Sequence, residues 1–342
     1  MRRRTKENIR TGIAVLLVLA GFYLQSINVY AGMLCIAAGI LVCPFPKRAK
    51  GKAVRIILSA LIVIGTYLFW KGILPYYPHR DATGTLRVHY LDLGQAECEF
   101  IELPDGKCML IDSGELDQGS RVVSYVKSCG YTYIDYFCIT HPHSDHIGGA
   151  HTVLAEMPVG RVILNPMPAN LVPDTYCYRS TLEAAQKRGK TVETAYYGQN
   201  DLSGSDYSIV IYTPDETFVN DDLNMYSLMI RISYGKTAYL FTGDAGIAEE
   251  ENIISQHADL QADVLKVGHH GSNDATGYAF IAEVDPAYAV ISVGKENKNY
   301  LPHGKLLSIL EGRGITVYRT DMDGTVIVST DGYRISVETV IQ

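Results

Sequence analysis

Residues 1–80 contain a single acidic side chain, Glu7, against 12 Lys and Arg, and residues 81–342 hold the remaining 18 bases and 36 acids, a formal charge of −18. One uniform environment around the whole chain is thereby excluded. Charge is missing altogether from Thr11 to Cys43, a run of 33 residues, and again from Ile56 to Trp70. Other absences narrow the chemistry. The seven cysteines, at 35, 43, 98, 108, 129, 138 and 177, make no C-x-x-C pair, which excludes the common structural zinc spacings. No G-x-S-x-G elbow and no phosphate-cradling glycine loop occurs, so serine hydrolysis of that type and P-loop nucleotide chemistry are excluded as well. There is no internal repeat, and 47% hydrophobic residues with only 20% charged is not the composition of a disordered chain.

What is present begins with the apolar runs. A membrane helix needs roughly 20 apolar residues, so the first run is either one very tilted helix or two short ones meeting near Gln25, Ser26 and Asn28, and that polar trio favours two. Basic flanks, Arg2 to Arg10 on one side and Lys47 to Arg55 on the other, favour the cytoplasm. Two crossings between them satisfy both, and a third helix near Val54 to Leu74, with Trp70, Tyr76 and Tyr77 at its outer end, then delivers the acidic remainder outside the cytoplasm. The sequence therefore predicts a membrane anchor over 1–75 with three transmembrane helices, a linker over 76–85 and a folded domain over 86–342, extracytoplasmic at the cell membrane. Lipid is the first partner implied. Small residues within the runs (Gly12, Ala20, Gly21, Ala31, Gly32, Gly39) permit close packing against a membrane channel partner.

Beyond the linker, short apolar strands are predicted at Leu86 to Leu93, Glu97 to Leu103, Lys107 to Asp112 and Ile134 to Thr140. Helices near Ile147 to Glu156, Thr175 to Arg188, Ile247 to His257, Thr276 to Glu283 and Lys305 to Gly312 alternate with further strands, an order that fits two sheets with helices outside them. Across the turn Asp105-Gly106 strand partners are expected to sum to 211, which leaves Cys98 and Cys108 out of register and predicts mostly buried free thiols.

The chemistry concentrates in Thr140-His141-Pro142-His143-Ser144-Asp145-His146-Ile147-Gly148-Gly149, between a buried-type strand and a helix. A lone loop histidine is usually solvated, but four ligand side chains in six residues are not a solvated loop. His141 and His143, two apart on extended backbone, can approach one metal, and Asp145 with His146, at the helix opening, a second. Three more strand ends supply donors: Asp112 in Ile111-Asp112-Ser113-Gly114, Asp244 in Thr242-Gly243-Asp244, and His269-His270 in Val267-Gly268-His269-His270-Gly271-Ser272.

This set of H-x-H-x-D-H, Asp-x-Gly, Gly-Asp and a late His resembles the metallo-β-lactamase superfamily, and the segments Leu91 to Gln95 and Leu265 to Ser272 are most similar to the extracytoplasmic hydrolase domain of ComEC-type DNA-uptake proteins. The resemblance implies an α/β fold, an αββα sandwich with its site at one edge. It makes His141 and His143 ligands of one metal, Asp145 and His146 of the other, Asp244 the bridging carboxylate and His269 or, preferably, His270 the closing ligand. Asp112 and Ser272 would support the site. Where the superfamily commonly has another His the chain has Asn224, a weaker ligand, and where ComEC-type domains have Gly-Gln-Gly-Asp it reads Gly94-Gln95-Ala96-Glu97. Asn299 to His303 matches the family's His-Pro element in part, with His303 a candidate acid or phosphate contact.

Two divalent ions, zinc or manganese, activating a water under Asp145 or Asp244 would make the domain a hydrolase. The resemblance implies a phosphodiesterase or nuclease acting on extracellular DNA. A charge of −18 limits this to weak engagement of single-stranded or short DNA, because tight binding of many phosphates needs a basic stripe. Hydrolysis of a small envelope phosphodiester, ester or lactone is the second reading, and a metal-degenerate binding or scaffold module, suggested by Asn224, the third.

Overall fold

A computed structural model describes residues 83–341. The three membrane helices expected over 1–75 lie outside the described residues, and among the described residues no helix is long and apolar enough to cross a membrane.

The strands are β1 (Leu86–Tyr90), β2 (Glu99–Glu102), β3 (Cys108–Ile111), β4 (Ile134–Ile139), β5 (Val159–Leu164), β6 (Val192–Thr194), β7 (Tyr207–Tyr212), β8 (Met229–Tyr234), β9 (Thr237–Phe241), β10 (Val264–Lys266), β11 (Tyr288–Ile291), β12 (Thr316–Arg319), β13 (Thr325–Thr330) and β14 (Ile335–Val340). They form one sheet in the order β14-β13-β1-β2-β3-β4-β5-β6 and a second in the order β12-β11-β10-β9-β8-β7. Side chains alternate across each sheet. In β4, Cys138 joins the core between the sheets while Phe137 and Ile139 point to the helices Gly119–Ser128 and Ala150–Glu156. In β9, Tyr239 and Phe241 face that inner core, and Leu240 faces Ile253, Phe280 and Val284 on the outer helices. Both faces of each sheet are thus covered at these central strands, which is the expected αββα sandwich. Each large apolar side chain so buried contributes about 1.5–3 kcal/mol relative to exposure.

The helix Gly119–Ser128 and strands β6, β13 and β14 had not been predicted. The helix and β14 both carry the period of their type: Val122, Val123 and Val126 form one buried face of the helix, and in β14 the half-buried Ile335 and Val337 alternate with exposed Ser336 and Glu338, so the pattern was present and went unread. Partners across the β2–β3 turn sum to 210, as in Glu102↔Cys108, so Cys98 and Cys108 are indeed out of register, though the expected sum was one too high. The described cysteines form no disulfide, and Cys98, Cys108, Cys138 and Cys177 are buried. The helix predicted from Ile147 is two, Ser144–Ile147 and Ala150–Glu156, separated at Gly148 and Gly149. A Cβ on Gly149 would stand 2.3 Å from the Ser113 carbonyl oxygen, so this approach of the two loops requires glycine.

Strand direction decides where the chemistry collects. β3 and β4 run parallel, as do β9, β10 and β11, so the segments following Ile111, Ile139, Phe241, Lys266 and Ile291 leave from the C-terminal ends of parallel strands. Antiparallel β2 and β8 begin at the same edges, which brings the residues before Glu99 and Met229 there too.

Candidate metal centre

The loop after β4 supplies four donors because its backbone changes type midway. His143 is still extended (φ −70°, ψ 152°), and the helix starts at Ser144. Extended backbone puts His141 and His143 on one side, with His141 Nε2 3.1 Å from His143 Nδ1. One turn of helix then turns the His146 ring against that of His141, centroids 4.1 Å apart.

His146 is wholly buried, and its Nδ1 donates to Asp112 Oδ2 at 2.7 Å. Asp112 also accepts from Thr140 N (2.8 Å) and Thr140 Oγ1 (2.6 Å). It does so in a left-handed conformation, φ +54°, directly after β3. A carboxylate bonded in this way fixes the imidazole tautomer and leaves Nε2 able to face a cation. That Nε2 lies 3.3 Å from Asp244 Oδ2 and 3.9 Å from Asp145 Oδ2.

Asp244 follows Gly243 at the end of β9, and its amide donates to Ser227 Oγ at 3.2 Å. The two histidines after β10 both have positive φ (+46° and +51°), a costly conformation of about 1–3 kcal/mol each that such sites sustain. It splits their directions. His270 is buried, donates from Nδ1 to Ser292 O (2.8 Å) and holds Nε2 3.3 Å from Asp145 Oδ2 and 3.7 Å from Asp244 Oδ1. His269, a quarter exposed, donates from Nδ1 to Asp274 and has Nε2 3.9 Å from Asp244 Oδ2. Backbone bonds tie the loops together: Leu228 N to Thr140 O (3.0 Å) and His269 N to Gly243 O (3.1 Å).

Charge in this cluster is strongly redistributed. Burial disfavours the His146 imidazolium, yet Asp244, Asp112 and Asp145 together hold its pKa well above the usual value. Burial, then the neighbouring His146, depresses His141 well below it. Burial opposes ionisation of Asp244, but His146 and His270 keep its carboxyl well below the ordinary range. Burial is likewise outweighed at His270, raised by Asp244 and Asp145. The carboxylates that favour a proton on His146 equally favour a metal cation among the imidazoles.

The donor set fits a divalent ion. His146 Nε2 and Asp244 Oδ1 are buried with no hydrogen-bond partner, and ligand atoms of Glu97, His146, Asp244 and His270 all lie within 4.8 Å of one another. Unsatisfied buried donor atoms converging on one point are costly unless something charged satisfies them.

Ser272 N donates to His269 O, closing the histidine turn. Asn224, in the 3-10 turn Leu223–Tyr226, has a buried Oδ1 without a partner, and Ser227, just beyond that turn, stands 3.5 Å from His141 Nδ1 through its Oγ. His303 N donates to Gly271 O, and its Nδ1 accepts from Asn273 N (3.0 Å), which leaves the proton on Nε2. Glu97 was overlooked among the donors. Its signal was present as the acid standing at the Asp position of the ComEC-type segment.

A profile of the metallo-beta-lactamase superfamily matches residues 91–166, the stretch carrying Glu97, Asp112 and the histidine loop. The chain is 30% identical over 290 residues to ComE operon protein 3 of Bacillus subtilis (strain 168), covering 79% of this chain and 36% of that protein. It is 26% identical over 300 residues to Recombination protein 2 of Haemophilus influenzae, covering 86% and 34%. It is 27% identical over 259 residues to Competence protein ComA of Neisseria gonorrhoeae, covering 75% and 34%. The chain spans about a third of the length of these curated relatives.

Proposed function

Since the chain carries a domain of the metallo-β-lactamase superfamily and has competence proteins among its homologues, we propose that it is a membrane-anchored, metal-dependent phosphodiesterase acting on short or single-stranded extracellular DNA. The observation that carries the reading is the convergence of His146, Asp244 and His270, from three separate loops, on one point with unsatisfied donor atoms. Zinc or manganese held by His141, His143, Asp145, His146, Asp244 and His270 would supply Lewis acidity and lower the pKa of a water toward neutrality.

The chain's own groups do the rest. Asp112 holds His146 in the tautomer that presents Nε2. Asp145, about a quarter exposed where Asp244 is buried, has access to solvent and orients the attacking water at Oδ2. His303, with its proton on Nε2, donates to a phosphate oxygen or the leaving group. The uncharged runs Thr11 to Cys43 and Ile56 to Trp70 anchor the chain in lipid, offer a surface to a membrane channel, and put the acidic domain outside the cytoplasm.

A second reading, hydrolysis of a small envelope diester or ester, is favoured by the −18 charge of residues 81–342 and by a cleft of about 490 Å³ lined by Met167, Tyr196, Tyr197, Phe218 and Tyr226. That volume lies within the small-molecule range. Tyr226 immediately precedes Ser227, the contact of His141.

The test is to assay the full chain, in detergent with manganese or zinc, against single-stranded DNA and bis(p-nitrophenyl) phosphate. Cleavage of both, lost in His143→Ala, is the expected result. Cleavage of the small diester alone would transfer the assignment to the second reading. Cleavage of neither would refute both. Digestion of a tag at Gln342 by external protease in intact cells tests the orientation, and protection would refute it.

A further inference from the structure

Glu97 is completely buried, and its position follows from register rather than from the loops that bear the other donors. It lies just before β2, whose antiparallel pairing Glu99↔Ile111 brings it alongside Ser113, next to Asp112. Backbone bonds lock it there: Glu97 N donates to Asp145 O (3.0 Å), and Gly114 N donates to Glu97 O (2.9 Å). Its main chain is therefore attached directly to the metal loop.

The two carboxylate oxygens have different fates. Oε2 accepts from Lys266 Nζ at 2.5 Å, while Oε1 is buried with no hydrogen-bond partner. Lys266, also completely buried, donates a second bond to Val267 O (2.9 Å), so its ammonium is held at the base of the histidine turn. A purely structural ion pair in so dry a place satisfies both carboxylate oxygens when it can, because an unpaired one is expensive. Here the unsatisfied oxygen belongs to a residue with a ligand atom within 4.8 Å of those of His146, Asp244 and His270, of which the first two also carry unsatisfied atoms and the third lies against the Asp145 carboxylate.

We propose that Glu97 is a further metal ligand, at the corner formed by His146, Asp244 and His270, and that Lys266 is the positioning residue that holds one of its oxygens and aims the other. This rests on the metal-centre reading above. It makes the corner unusually rich in oxygen: Glu97, Asp145 and Asp244 with two imidazoles. Carboxylates suit manganese, whereas imidazole-dominated sets suit zinc, so this corner selects a harder ion than the pair His141 and His143 does. Glutamate in place of the aspartate of the Gly-Gln-Gly-Asp segment supplies one more methylene, which is the reach this ligation uses.

The experiment titrates the full chain with manganese chloride and reads free hexaaquo manganese by electron paramagnetic resonance. The comparison is with Glu97→Gln/Lys266→Met, which removes both charges together and strands neither. A rise of at least about tenfold in Kd for the tighter site is expected, with Glu97→Asp intermediate. A cooperatively melting double variant whose manganese Kd stays within about twofold of wild type would overturn the ligand assignment alone. Wild-type chain that binds no manganese or zinc would overturn the metal centre itself. If the double variant does not fold, Glu97→Asp decides, read by thermal melting with and without manganese. The expected result is a smaller manganese-induced rise in Tm than in wild type, because the shortened side chain withdraws the ligand oxygen. An equal rise would overturn the proposal.

Discussion

His146 Nδ1 donates to Asp112 Oδ2 at 2.7 Å while His146 Nε2 stands 3.3 Å from Asp244 Oδ2, so one buried ring connects a carboxylate at the end of β3 with one at the end of β9. The ring bridges the two sheets. Asp112→Ala removes the acceptor of that bond and of two bonds from Thr140. It is expected to lower manganese or zinc affinity about 10–100-fold, the usual cost of losing such support. Calorimetric titration of the full chain measures it, and an unchanged affinity would show that His146 orients itself.

Gly243 occupies φ +50°, and a Cβ there would sit 2.8 Å from Thr140 Cβ and 2.9 Å from Thr140 Oγ1. Gly243→Ala thus faces both a strained backbone and a collision with the residue that braces Asp112. A loss of about 1–3 kcal/mol in urea unfolding is expected, together with weaker metal binding through displacement of Asp244. Wild-type stability in the variant would contradict it.

Glu250 is almost completely buried and accepts from Thr276 N and Gly277 N; burial pushes its carboxyl up to about 7 despite those two bonds. Below the ordinary carboxyl range the folded and unfolded chains both carry this proton. Between that range and about pH 7 only the folded chain does. The contribution of Glu250 is therefore fully present at low pH and lost as pH rises toward 7, by up to ~3 kcal/mol. Unfolding of wild type and Glu250→Gln at pH 5 and pH 8 should show the difference between them shrinking by an amount of that order. A constant difference would exclude ionisation of Glu250 as the cause.

Asn224 Oδ1 is buried without a partner in the turn leading to Ser227, the neighbour of His141. Asn224→His is expected to raise bound zinc per chain, or to tighten its binding, by adding an imidazole to the His141 and His143 corner. Elemental analysis after dialysis provides the count. If the ratio of zinc to chain does not move, Asn224 is not at a ligand position.

Much of the site was legible because its donors follow hydrophobic strands at fixed local spacing. His141, His143, Asp145 and His146 lie within six residues, and the Asp112 and Asp244 segments each end an apolar run. The alternation of strands and helices was readable for the same reason, since periods of 2 and 3.6 are local properties. The helix Gly119–Ser128, with Val122, Val123 and Val126 on one face, and β14, with Ile335 and Val337 alternating with exposed neighbours, carry their periods as well, but over short segments that went unread.

What the sequence by itself determined is the donor inventory apart from Glu97, the charge division at the end of the apolar runs and the two-sheet architecture, all of which depend on neighbours along the chain. Only the tertiary structure decided that Glu97 joins Lys266 across 169 residues, and that His270 rather than its neighbour turns inward beside Asp145. The first depends on strand register and the second on two successive left-handed backbone conformations. Neither has a signature in local spacing, because pairing across sheets and rotation within a turn are set by what packs around them.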